Sequence, residues 1–136
     1  MLITGGFSES FTKTVGKGLK SVEIFDPRIR NISLSCSLPD LTLKRFGHAS
    51  VGKTVCGGWN SDEPRITCET LDINTGLWTQ SHSLQQKRAL PVMWRTPSDQ
   101  MIVIGGTPKI LHSTEILKDD GLSVSNFTLR HQHKVW

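Results

Sequence analysis

The sequence predicts an all-β chain built from about three copies of one strand-rich unit, the first copy incomplete. Three observations carry this. Gly-Gly occurs at 5–6, 57–58 and 105–106, each time after a short apolar run at 2–4, 54–56 and 101–104. A glutamate recurs after each pair, at Glu23, Glu69 and Glu115, in similar surroundings: Ser21-Val22-Glu23-Ile24-Phe25, Thr67-Cys68-Glu69-Thr70-Leu71 and Ser113-Thr114-Glu115-Ile116-Leu117. No window holds the 3.6-residue apolar period of a helix over a dozen residues.

The units divide at 1–44, 45–86 and 87–136. In each, apolar residues alternate as in half-buried strands, and turn residues punctuate them: Asp26-Pro27, Asn74-Thr75-Gly76, Pro97-Ser98-Asp99 and Asp119-Asp120-Gly121. Lys44-Arg45 is a further landmark, repeated as Lys87-Arg88. The pairs Gly5-Gly6, Gly57-Gly58 and Gly105-Gly106 suit a backbone that turns with positive φ while lying against a neighbouring sheet. Trp78 stands where the other units have Ile32 and Val124, so that position reads as core between sheets. Recurrence of Glu23, Glu69, Glu115, Arg45 and Arg88 argues for structural roles, because a catalytic group is needed once.

Composition narrows the function. Sixteen Lys and Arg against twelve Asp and Glu give a net charge of +4. The cations are scattered, so no nucleic-acid track is expected. No apolar stretch approaches the roughly 20 residues of a membrane span. The first residues lack the basic head and long apolar region of a signal peptide. The expected setting is therefore intracellular, or else the chain is the mature part or a fragment of a longer protein.

These landmarks resemble the kelch repeat: an apolar strand ending in Gly-Gly, an acidic residue on the next strand, a Trp as at Trp78, then Arg with a following His, as in Arg45-Phe46-Gly47-His48. Arg88-Ala89-Leu90-Pro91 departs from that last element, and the chain has no Tyr. A narrower likeness is to kelch-like propellers predicted to be secreted by invertebrates, through Cys36, Cys56-Gly57-Gly58, Cys68 and Phe127-Thr128-Leu129. The resemblance implies a partial β-propeller of about three four-stranded blades, the first incomplete, with exposed blade faces at both ends. It implies a non-enzymatic module that binds a protein, or a glycan, through inter-strand loops. The alternative is the substrate-receptor region of an intracellular ubiquitin-ligase adaptor. An oxidase of the family's copper-radical kind would need tyrosine. Binding-loop candidates are Phe11, Lys13 and Lys17 in the long loop Phe7 to Lys20, and Trp59, Asp62 and Arg65 in the next. Further partners are the remaining blades of a longer parent, or self-association. No catalytic residue, cofactor or metal ligand is expected.

Cys56 and Cys68 precede the Gly-Gly and the glutamate of one unit, which places them on neighbouring antiparallel strands. They read as a disulfide, with two buried reduced thiols as the alternative. Cys36 is then left over, its partner expected outside this chain. The sequons Asn31-Ile32-Ser33 and Asn126-Phe127-Thr128 fit an extracellular protein. An extracellular setting is slightly favoured, with the cytoplasm as alternative. Gly47-His48-Ala49-Ser50-Val51-Gly52-Lys53-Thr54 fits the P-loop pattern, but a strand and then a turn follow where a helix is needed, so it reads as a hairpin. His131-Gln132-His133 reads as a solvated tail.

Overall fold

The computed structural model describes residues 2–8, 17–25, 28, 38–107, 113–118 and 123–128. Phe11, Lys13, Asn31, Ile32, Cys36, His131 and His133 lie outside the described residues, as do the side chains of Lys17, Val124 and Asn126. The described residues are all β, with no helix. In chain order the strands are β1 (Leu2–Thr4), β2 (Phe7–Ser8), β3 (Lys17–Gly18), β4 (Val22–Ile24), β5 (Ala49–Val51), β6 (Thr54–Cys56), β7 (Thr67–Asp72), β8 (Leu77–Ser83), β9 (Val92–Arg95), β10 (Met101–Ile104), β11 (Ser113–Leu117) and β12 (Ser123–Thr128).

All pairings are antiparallel. β1 and β4 form the first sheet, β5-β6-β7-β8 the second and β9-β10-β11-β12 the third; none is closed. The first sheet matches the two middle strands of the others. Ile3 faces Glu23 as Val55 faces Glu69 and Val103 faces Glu115. The register between third and fourth strands shifts at the glutamate in both larger sheets. A bulge of this kind adds twist. The segment Phe7 to Lys20, read from the sequence as a loop, contains a short ribbon in which β2 pairs with β3. The P-loop-like segment forms the β5–β6 hairpin, with Val51 paired to Thr54 across Gly52-Lys53. A hairpin there leaves no helix N-terminus to cradle a phosphate.

The core lies between sheets. Strand alternation gives each sheet two faces. Val22 of β4, with Leu2 against it, packs on Val55, Leu71 and Trp78 of the second sheet, and Leu41 closes the layer. Trp78 donates its indole N–H to Pro39 O at 2.9 Å, which satisfies the polar end of a buried ring. On the opposite face of the second sheet, Cys56 and Cys68 meet Val103 and Leu117, with Met93 and Met101 alongside.

Candidate functional site

Each joint between sheets is built around an arginine and a glutamate that are fully buried. Arg45 Nη2 lies 2.7 Å from Glu69 Oε1, and Arg88 Nε lies 2.9 Å from Glu115 Oε1. The repeat extends to their other bonds. Arg45 Nη1 donates to Gly57 O and Thr67 O at 2.8 and 2.9 Å; Arg88 Nη1 donates to Gly105 O and Ser113 O at 2.6 and 3.2 Å. Glu69 accepts the N–H groups of Thr42 and Leu43, and Glu115 those of Gln85 and Gln86. A buried carboxylate with two backbone donors and a guanidinium is well compensated. Burial favours the neutral form of Glu69, but the Thr42 and Arg45 hydrogen bonds outweigh it, and the carboxyl stays below its ordinary range. Burial likewise lowers the Arg45 guanidinium despite Glu69. The joints differ at the guanidinium: Arg45 Nε is buried without a partner, whereas Arg88 Nε donates to Glu115.

The glycine pairs sit where one sheet meets the next. Gly6 N–H donates to Arg45 O at 3.0 Å and Gly58 N–H to Arg88 O at 2.7 Å. Gly57 has φ 68°, and a Cβ there would fall 2.3 Å from Arg88 O. His48, at the first joint, shares a 2.8 Å hydrogen bond with Thr4 Oγ1. Burial, and then the neighbouring Arg45, lower its pKa to about 4, so the ring is neutral at pH 7.

The cysteines form a disulfide. Cys56 and Cys68 are direct partners on β6 and β7, with Cα atoms 4.1 Å apart. It ties the two ends of the loop that holds Trp59, Asp62 and Arg65.

That loop forms the described part of the candidate binding surface. Asn60 Oδ1 accepts the N–H groups of Asp62 and Glu63 at 2.6 and 3.0 Å, an Asx-type turn. Arg65 N–H bonds Gly58 O at 2.8 Å and its Nε bonds Lys44 O at 3.1 Å. Lys87 reaches Glu63 from the next unit and holds that exposed carboxyl below its ordinary range. Between this loop and the end of the first unit lies an open cleft of about 290 Å³. Thr42 and Leu43 line it, with Lys20, Lys44, Asn60, Ser61, Asp62 and Arg65. Three cations thus face one carboxylate.

Of the loop candidates, Asp62 and Arg65 line the cleft. Trp59 does not: it is half-buried, its backbone bridged to Phe46 and Pro64. Lys44 joins the cleft without having been singled out as a contact residue; its neighbour Arg45 had marked that stretch as part of the repeat. Among the described residues, no three of His, Cys, Asp and Glu group as a metal site.

No family model matches the chain, and no curated protein does.

Proposed function

We propose that the chain is a sector of a kelch-type β-propeller and a non-enzymatic binding module, which takes its partner on the inter-strand loops. Several observations support the sector reading. Two four-stranded meanders and the core pair of a third repeat one register, stack face to face, and share the Arg–Glu joint. The non-enzymatic reading is supported by the use of the chain's buried acid and base side chains. Arg45, Glu69, Arg88, Glu115 and His48 are all engaged in the joints between sheets.

The observation that carries the binding reading is the cleft at the Trp59-to-Arg65 loop. Lys20, Lys44 and Arg65 make it basic, and the disulfide and Asx turn hold its wall in one shape. A preformed basic cleft suits an acidic segment of a partner protein, or an anionic glycan. The disulfide fits an oxidising compartment. Calorimetric titration with an oligoglutamate peptide and with a sulfated oligosaccharide tests this. Binding of either should weaken about tenfold or more in Arg65→Glu. Binding unchanged in Arg65→Glu and Lys44→Glu would remove the cleft from the reading.

A further inference from the structure

The two end faces of the stack differ in kind. At each internal joint, the face of one sheet that does not carry its glutamate packs against the glutamate-bearing face of the next. Val22 of the first sheet thus meets Val55, Leu71 and Trp78, and Cys56 and Cys68 of the second meet Val103 and Leu117. Among the described residues nothing covers the glutamate-bearing face of the first sheet, where Ile3 is 46% exposed beside an exposed Glu23. The third sheet leaves a face of the other kind uncovered. Val92 is 61% and Trp94 53% exposed there, next to half-buried Ile102, Ile104 and Ile116.

This second face is unlike its counterpart in the middle sheet. Register equates Val92, Ile102, Ile104 and Ile116 with Ala49, Thr54, Cys56 and Thr70. Small and polar residues stand at the covered position, and large apolar ones at the exposed position. A contiguous patch of this composition, on a sheet whose sisters are covered, marks an interaction surface.

We infer that a second copy of this chain docks head to tail, seating the Ile3–Glu23 face of one molecule on the Trp94–Ile116 face of the next. The occupant follows from continuity with the internal joints. The chain already makes this kind of contact twice, and each molecule carries one unused half of either kind. Such a contact is heterologous. It leaves a free face at each end, so assembly grows until a ring closes or a filament forms.

The inference rests on the stacked-sheet reading above but not on the loop cleft. Sedimentation and light scattering of the full chain, from low micromolar to near-millimolar concentration, test it. The mass should rise with concentration. Trp94→Glu and Ile3→Glu should each stay monomeric, while their mixture gives a one-to-one dimer and nothing larger. Arg65→Glu should leave association unchanged. A wild-type chain that is monomeric throughout would mean another partner covers these faces, and overturns the proposal. So would self-association of Ile3→Glu alone, which would indicate two like faces meeting, or loss of association in Arg65→Glu. Val103→Glu, inside an existing joint, separates the two readings. It should abolish cooperative unfolding; if it does not, the stacked-sheet reading fails first.

Discussion

Glu23, Glu69 and Glu115 occupy one register position, opposite Ile3, Val55 and Val103, yet only the last two are buried. The difference is their company. Removing the carboxylate of Glu69 leaves the Arg45 guanidinium buried without its counter-charge, so Glu69→Ala should cost about 3–5 kcal/mol. Glu23→Gln, at an exposed site, should stay within about 0.5 kcal/mol. Urea unfolding at pH 7 in dilute solution measures both. His48 gives the chain an acid-sensitive joint. The unfolded chain takes up the proton near pH 6.5, while the folded chain resists it down to about 4. Between those values the unfolded state binds more protons, so stability should fall as pH drops through this window. The slope should flatten in His48→Gln, as followed by unfolding at a series of pH values. The recurrence of these glutamates and arginines is plain in the sequence. Their pairing is not, because the partners stand 24 and 27 residues apart with no local signal joining them.

At the scale of strands and turns, the repeat is legible wherever backbone geometry demands a particular residue. Gly47, two residues after Arg45, has φ 57°. The same place after Arg88 is Leu90, with φ 53° and 66% exposure. A leucine held in the left-handed region costs about 1–2 kcal/mol. Leu90→Gly should therefore raise stability by about 1 kcal/mol, the strain relief being partly offset by glycine's backbone entropy. Gly57→Ala should do the opposite and by more, since it adds a clash with Arg88 O to the same strain. Thermal unfolding of the two variants checks the signs. The β2–β3 ribbon was not legible as strand. Its segment is the longest of the inter-strand loops and carries none of the repeated landmarks, and two-residue strands carry no period to read.

Among the described residues the three main sheets pack face to face, and only the second is covered on both faces. In such quasi-linear arrays stability is shared between neighbours, and the ends open first. Hydrogen exchange should therefore be slowest at the amides of β6 and β7, faster in β10 and β11, and fastest in β1 and β4. Equal protection in the first and second sheets would contradict this order. The three-fold recurrence in the sequence is what made the stacking readable, because faces at repeated positions must meet in the same way. Which residues crowd those faces was harder to see. Trp94 and Ile116 flank Ile102 from β9 and β11, a grouping that the register reveals and the sequence does not.

The two backbone donors to each buried glutamate come from the connection just ahead of its own sheet: Thr42 and Leu43, 26–27 residues before Glu69, and Gln85 and Gln86, 29–30 residues before Glu115. Arg45 follows on that same short connection. The hydrogen bonds to each buried glutamate therefore span no more than 30 residues of chain, whereas the apolar layer at the first joint also needs Trp78. During synthesis, the polar part of each joint can form once its glutamate has emerged, and the residues that follow, Leu71 and Trp78 at the first joint and Leu117 at the second, complete the apolar layer. The order of the units along the chain then becomes the order of assembly in time.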